Sequence, residues 1–563
     1  MGRNRTDRVA AILLVAIAFY AFLEYNLLLY VEYITDEFLH SSWGADLHFG
    51  IRPYTAEHVH VKTQLGILLY SIAYKLCDNM VGILLINRHT ALLFVILSLC
   101  VVFLLYRQLF AGTHGGLWAV LWTLSCSTFR EHSFSIRVDM MATCLALLGL
   151  YVFLGLPLRR RALASGLCLG LAFCTTQKSV YFIAAFVLSF WVAYRRTTSH
   201  PLKEFLAFAL GGLIVFCAYV VAFGYGGNPI NVVKGMFFSE KAWRLALTGD
   251  YVGLHTFYWH TFSRNIPFYC LSFAGLGYSL GRWGSNRWEQ NVLCCFSLTV
   301  LGLIAVHREP WPYVFVMIIP FLGCYAGLIS DHITEALRIS PRVLIVPAAV
   351  LLLTVGVQSV LRNYDYAGVQ CFPQLAAVRA AEAVLGPQDS YFDGIRMIGT
   401  RKHCIPITLQ QADLMNLIHS WETGGPAFLD SLRASECKVI IYNYRLAYLP
   451  KAFHQFLRDH YVLMDTSVFV SGYRIITSPT EIDLIWPGEY GTLTDGECKN
   501  IIIDGRAVDA KKGGIYLAKG KHRVTFEREE SFLFLIPVAA RQWMERSAGE
   551  RIIVQLFSNK YDR

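Results

Sequence analysis

Charged side chains are scarce in this sequence. Asp, Glu, Lys and Arg make up 16% of its 563 residues, against about 25% in a typical soluble domain. That shortage excludes an ordinary soluble multidomain protein. Also missing are a Cys-x-x-Cys zinc pattern, a P-loop, and a Gly-x-Gly-x-x-Gly that opens a helix after a strand, which removes the sequence grounds for those metal and nucleotide sites. No short period runs through the chain, and an aromatic content of 14% excludes disorder, collagen-like structure and low complexity.

What the chain has instead is apolar length. Hydrophobic residues reach 55% and the mean hydropathy is +0.43. The surplus is concentrated before about Leu361, in long apolar runs. The net charge of +10 points to no nucleic-acid partner, because the basic residues sit mainly in short loops between those runs, as the positive-inside rule describes. The composition is that of an integral membrane protein.

The first run, Val9 to about Ile34, follows Arg3, Arg5 and Arg8. It is too long for a signal peptide and lacks a small-residue cleavage site, so a retained first helix with a cytoplasmic N-terminus is expected. Further spans are expected near 88–107, 115–130, 137–157, 162–177, 179–194, 205–225, 265–282, 291–306, 312–330 and 342–361, roughly eleven crossings in all. Alternation then puts Arg159–Arg161, Arg195 and Arg196 with Lys203, Arg282 with Arg287, and Arg338 with Arg342 in the cytoplasm. Charge bias and parity agree, and the C-terminal part is expected outside.

This topology gathers ionisable residues at the outer ends of the spans. The loop after the first helix carries Asp36, Glu37, Asp46, Arg52, Glu57, His58, His60 and Lys62; Arg88 opens the second span. Arg130, Glu131, His132, Arg137 and Asp139 fall in the next outer turn, Lys178 lies between two spans, and His307, Arg308 and Glu309 precede Pro310-Trp311-Pro312-Tyr313. Singly, each cation reads as a side chain snorkelling to headgroups, and Arg137 with Asp139 as a local ion pair. Yet Arg137 and Asp139 open an apolar run, where an isolated charge at the bilayer centre costs about 2.5–3.5 kcal/mol. Cations converging with carboxylates suit an anionic lipid headgroup and a hydroxyl nucleophile.

The order of these pieces resembles the GT-C glycosyltransferases of membranes, particularly protein O-mannosyltransferases and bacterial lipid A aminoarabinose transferases. Thr35-Asp36-Glu37 looks like the acidic motif of the first outer loop. His60 to Leu65, followed by Leu68-Leu69-Tyr70, looks like the Lys-Pro-Pro-Leu-Tyr segment, with Thr63-Gln64 in place of the two prolines. Asn87-Arg88, Arg137-Val138-Asp139, the Gly-rich stretch from Gly166 to Lys178, and His307 through Pro320 resemble the later motifs. The likeness covers about residues 9–360.

The resemblance implies an inverting transfer of a sugar from a polyprenyl-phosphate donor to a hydroxyl of a glycan, lipid or protein acceptor. It makes Asp36 the base, with Glu37 orienting it or binding the acceptor, and Asp139 holding Arg137 or an acceptor group. Lys62, Arg88, Arg137, Lys178, His307 and Arg308 would bind the donor phosphate. No resident cofactor is implied with certainty. Some relatives place a metal-ligating carboxylate before the lysine, where this chain has Val61. Glu57, His58 and His60 are then the candidate ligands for a divalent ion, with ordinary polar loop residues as the alternative. The expected setting is a bacterial inner (plasma) membrane. A transporter or flippase of an anionic glycolipid is the other class, which would bring ionisable residues to the midplane of several spans.

The fold expected is thus a polytopic α-helical domain of GT-C type over 1–365, including the first outer loop 34–87, followed by extracytoplasmic modules. An α/β module is expected over 366–480, from a helix at Gln374–Leu385, strands at Ser390–Phe392, Val439–Tyr442 and Val468–Val470, and a helix at Lys451–Arg458. A β-sandwich is expected over 481–563, with strands at Cys498–Gly505, Gly514–Leu517, Phe532–Val538 and Ile552–Phe557, and a hairpin around Gly520. Segment 232–247 reads as an amphipathic interfacial helix. Cys371, Cys404, Cys437 and Cys498 would face an oxidising compartment, which leaves room for one or two disulfides whose pairing the spacing does not give.

Overall fold

A computed structural model describes residues 3–54, 63–110, 113–155, 161–195, 197–224, 228–237, 256–307, 311–336, 370–405, 409, 411–494, 499–509, 514–527, 533–546, 553 and 556–557. The chain forms two compact units. One comprises Met1–Val31, Asp46–Lys75 and Leu85–Gly368; the other comprises Glu32–Ala45, Leu76–Leu84 and Val369–Arg563.

The first unit is helical. Among the described residues, five helices are long and apolar enough to cross a membrane: Val9–Tyr30, Met80–Phe110, Gln177–Tyr194, Pro201–Gly224 and Trp288–Ala305. Leu65–Leu76, Asp139–Gly155 and Arg161–Thr175 are shorter and apolar. These long apolar helices make the chain an integral membrane protein. A helix occupies every expected span that falls on described residues, but their lengths are uneven. The stretch expected at 115–130 breaks at Cys126, which is extended, into Thr113–Ser125 and Ser127–His132. Asn265 Oδ1 accepts the Ser127 N–H at 2.7 Å and so caps the new helix. The stretch expected at 312–330 opens as a 3₁₀ turn, Pro312–Met317, before Ile319–Ala336 becomes α-helical. The span expected at 342–361 lies outside the described residues.

Arg161–Thr175 packs on Pro201–Gly224 through glycine. A Cβ on Gly166 would stand 2.0 Å from Phe208 O, and one on Gly211 would stand 2.3 Å from Leu163 O. Only residues without a side chain allow these backbones to approach so closely. Phe186 stacks on Phe208 beside this contact, with ring centroids 4.1 Å apart. The consequence for the site is positional, because Arg161–Thr175 leads straight into Lys178.

In the second unit, a five-stranded sheet has the order β2-β1-β3-β5-β4. β1 (Ser390–Phe392) pairs in parallel with β2 (Lys402–His403) and β3 (Cys437–Ile441). β5 (Val468–Ser471) pairs antiparallel with β3 and with β4 (Tyr461–Asp465). Helices Phe372–Val384, Trp421–Ala434 and Lys451–His460 alternate with these strands. Two antiparallel four-stranded sheets follow. Their strands are β6 (Tyr473–Ile475), β7 (Thr480–Leu484), β8 (Gly488–Thr494), β9 (Lys499–Ile503), β10 (Arg506–Ala507), β11 (Ile515–Leu517), β12 (Gly520–Glu527) and β13 (Leu533–Pro537); the first sheet has the order β10-β9-β12-β7, and the second β11-β8-β13-β6. Their core contains Ile482, Leu484, Ile503 and Val524 from the first sheet and Tyr490, Leu517, Leu533 and Leu535 from the second, which makes a sandwich.

Four expectations change here. The hairpin around Gly520 does not form: β11 (Ile515–Leu517) pairs with β8 (Gly488–Thr494), whereas β12 (Gly520–Glu527) pairs with β7 (Thr480–Leu484) and β9 (Lys499–Ile503) in the other sheet. The chain changes sheet at Ala518-Lys519, where His522 Nε2 lies 2.7 Å from Ala518 O and Gly520 takes a φ of +130°. Val538, expected to end a strand, begins the helix Val538–Arg546. Leu556 and Phe557 form no strand; the Phe557 ring packs against Phe38 and Tyr444 instead. Cys371, Cys404 and Cys437 are free and buried rather than disulfide-bonded. Cys437 opens the central strand of the sheet, its thiol facing Val439 O at 3.5 Å. Cys498 lies outside the described residues.

Candidate functional site

Asp139 opens the helix Asp139–Gly155, and its carboxylate gathers two cations. Arg137 Nε donates to Oδ2 at 3.1 Å and Lys178 Nζ to Oδ1 at 2.9 Å. Arg137 and Asp139 are each 4% exposed, while the Lys178 side chain keeps 27% of its surface open. The Arg137 guanidinium lies 3.4 Å from the Tyr313 ring centroid, and Lys178 Nζ lies 4.7 Å from the same centroid. A desolvated cation on an aromatic face gains about 2 kcal/mol. One carboxylate, two cations and one ring therefore form a bonded group whose formal charges sum to one positive unit.

Local structure explains the placement. Lys178 sits in the 3₁₀ turn Gln177–Ser179, which joins Arg161–Thr175 to Val180–Ser189. Ser179 Oγ donates back to Ala172 O at 2.8 Å and holds the turn closed. The Tyr70 hydroxyl donates to Arg137 O at 2.9 Å, which fixes the backbone before the helix. Tyr313 comes from the proline-initiated 3₁₀ turn.

His307 extends the group. Its Nδ1 lies 2.6 Å from the Tyr181 hydroxyl. Burial first, and Lys178 second, push its pKa down to about 4, with Asp139 opposing. The ring is neutral at physiological pH, so it offers a hydrogen bond and no charge. The Tyr258 hydroxyl donates to Ile304 O and Ala305 O at 2.9 and 3.1 Å, capping the helix end just before His307. Tyr181 and Tyr258 were not among the residues expected at this site. Tyr181 had a signal, since it follows Lys178 by three positions and so shares its helix face.

The other expected residues are placed differently. Arg88 is fully buried, and its Nη1 donates to Leu28 O and Val31 O at 2.8 and 2.9 Å, at the C-terminal end of Arg3–Tyr30. Asp36 and Glu37 lie in the first turn of Thr35–His48, a helix whose start belongs to the second unit. Asp36 is half-buried. Glu37 Oε2 accepts the Ile34 N–H at 2.9 Å, as an N3 carboxylate does when it closes a helix start. Glu57, His58, His60, Lys62 and Arg308 lie outside the described residues. Among the described residues, no three His, Cys, Asp or Glu side chains group to hold a metal ion. The interfacial helix expected at 232–247 is seen as Pro229–Phe237, and the remainder lies outside the described residues. Gln177 Nε2 donates to Met236 O at 2.7 Å, so this helix is tied to the residue before Lys178.

No protein-family model and no curated protein matches the sequence. Solved structures do match. The chain is similar to ArnT from Cupriavidus metallidurans bound to undecaprenyl phosphate, with a TM-score of 0.55 and 16% identity over 80% of this chain and 96% of that one. The apo state of the same protein gives 0.52 and 14%, over 77% and 93%. The oligosaccharyltransferase of Archaeoglobus fulgidus in its apo form gives 0.50 and 12%, over 80% and 73%. At such identities the likeness shows the fold alone: a helical part followed by mixed α/β and antiparallel-sheet structure, as in ArnT.

Proposed function

We propose that the chain is an inverting glycosyltransferase that moves a hexosyl or pentosyl group from a polyprenyl-phosphate donor to a hydroxyl of a glycan, lipid or protein on the outer side of the membrane. The carrying observation is the Arg137–Asp139–Lys178 group on Tyr313, a preorganised positive site at the end of apolar helices. The setting proposed is a bacterial inner membrane crossed roughly eleven times, with the N-terminus cytoplasmic and the C-terminal modules outside.

In this reading the acceptor oxygen attacks the anomeric carbon while the bond from that carbon to the phosphate oxygen breaks. The electron pair leaves with the polyprenyl phosphate, whose charge grows, and the hydroxyl proton passes to Asp36. A positioned base of this kind contributes typically about 10²–10⁴-fold. Lys178 meets the growing phosphate charge, because it is the member of the group with open surface. Arg137 is committed to Asp139 and the Tyr313 ring, and so keeps the site rigid and positive. Cations fixed where charge develops stabilise the transition state more than the ground state. Neutral His307 donates a hydrogen bond to donor phosphate or sugar. Lys62 and Arg308 complete the donor cations, Arg88 serves instead to hold the end of the first helix, and no step is routed through a metal.

Asp36→Asn tests the assignment. Binding of undecaprenyl phosphate should persist while transfer falls by about 10²-fold or more; transfer within a few-fold of wild type removes Asp36 as base.

A further inference from the structure

The helix Phe372–Val384 holds both stretches of the first outer loop that belong to the second unit. Gln374 is fully buried and grips one residue with both ends of its amide. Tyr33 N donates to Gln374 Oε1 at 2.8 Å, and Gln374 Nε2 donates to Tyr33 O at 2.8 Å. Eight residues further along, about 12 Å of helix rise, the Glu382 carboxylate accepts the Met80 N–H at 3.0 and 3.2 Å. Tyr33 stands three residues before Asp36, and the intervening turn is itself fixed, since Glu37 Oε2 holds Ile34 N. Phe38 then packs on both Tyr33 and Phe557, with centroids 5.6 and 5.8 Å apart.

A buried amide that satisfies a backbone N–H and C=O at once is unusual hardware for a mere surface appendage. Each of its polar atoms would be costly to leave unsatisfied in the interior, so the pairing tolerates little slack. From Gln374 to Asp36 the connection runs along the backbone from Tyr33, clamped at two points, into a helix start that the Glu37 carboxylate closes. We infer that Gln374 is a positioning residue: the C-terminal α/β module acts as a splint that sets the Asp36 carboxylate. This rests on the assignment of Asp36 as base made above.

Two variants of the full-length chain test it, Gln374→Met, which keeps the volume and loses both bonds, and Gln374→Glu, which keeps the oxygen that Tyr33 N–H uses. Three quantities are read on the folded fraction: kcat with a radiolabelled undecaprenyl-phosphate sugar, affinity for undecaprenyl phosphate alone, and hydrogen–deuterium exchange over residues 31–38. Gln374→Met should exchange faster over 31–38 and lose about 10–100-fold in kcat, the scale of a small misplacement of a reacting group, with undecaprenyl phosphate affinity unchanged. Gln374→Glu should fall between the two, and it carries the test if Gln374→Met does not fold. A structural role alone would lower the yield of folded protein and leave the kcat of what remains. The inference is overturned if the folded variants keep wild-type kcat, or if exchange over 31–38 does not move. If the wild-type chain transfers no sugar, the function reading fails, and exchange alone judges the clamp.

Discussion

At the scale of single residues, Lys178 and His307 differ in what they can do. Lys178 is charged, partly open and paired on one side with Asp139. A hydrogen bond to a charged group is worth about 1.5–3 kcal/mol, so Lys178→Met should weaken undecaprenyl phosphate binding roughly 10–100-fold in equilibrium titration. Unchanged affinity would remove Lys178 from the donor site. Asp139 offers no comparable handle on binding. Removing it leaves Arg137 buried with a missing partner, a loss of about 3–5 kcal/mol in stability that would obscure any effect on donor affinity.

His307 carries a signature in pH. Burial foremost, then Lys178, hold its folded pKa near 4, below the ordinary 6.5. Between these values the unfolded chain binds a proton there and the folded chain does not, so stability rises with pH. This contribution is full above about pH 6.5 and is lost as the pH falls toward 4. His307→Gln should flatten the fall in thermal stability across that window, whereas an unaltered slope would contradict a buried neutral ring.

At the scale of elements, the close pairing of Arg161–Thr175 with Pro201–Gly224 is the feature on which Lys178 depends. Gly166→Val places carbon where Phe208 O now lies, 2.0 Å from the first added atom. Overpacking of this kind costs about 1–3 kcal/mol. The variant should melt at lower temperature and bind undecaprenyl phosphate more weakly, because the turn carrying Lys178 shifts with its helix. Wild-type melting would show that the two helices can part without cost.

The sequence shows apolar runs more readily than it shows where they break. The interruption at Cys126 depends on Asn265, which is 138 residues away from Ser127, and hydropathy carries no trace of such a cap. The Gly520 turn was visible as a turn, but pairing partners are long-range: β12 adds to β7 and β9, and β11 to β8. A short run of alternating residues specifies a strand without specifying its sheet. β1 and β3 were legible because Tyr391-Phe392 and Val439-Ile440-Ile441 are short apolar runs, as strands buried on both faces require.

At the scale of the whole molecule, the change in hydropathy near residue 365 separates the long apolar runs from a part of ordinary globular composition. Compactness divides the chain differently, because Glu32–Ala45 and Leu76–Leu84 join the C-terminal unit. Gln374 and Glu382 make that connection across 341 and 302 residues, and neither stands out in sequence from other polar positions on an amphipathic helix. The cationic group was more legible, since Arg137, Asp139, Lys178 and His307 are charged or titratable at the ends of apolar runs, where ionisable residues are costly. Tyr313 belonged to a legible motif, but its role as the ring beneath two cations is visible only in three dimensions.

Sugar transfer from a lipid phosphate is the activity proposed for this chain. The most direct measurement is incubation of the purified full-length chain with a panel of radiolabelled undecaprenyl-phosphate sugars, scoring label that leaves the lipid. One donor should lose its sugar to an added acceptor, or slowly to water, in wild type and not in Asp36→Asn. Retention of label on every lipid donor by wild-type protein that still binds undecaprenyl phosphate would contradict the assignment of a transferase.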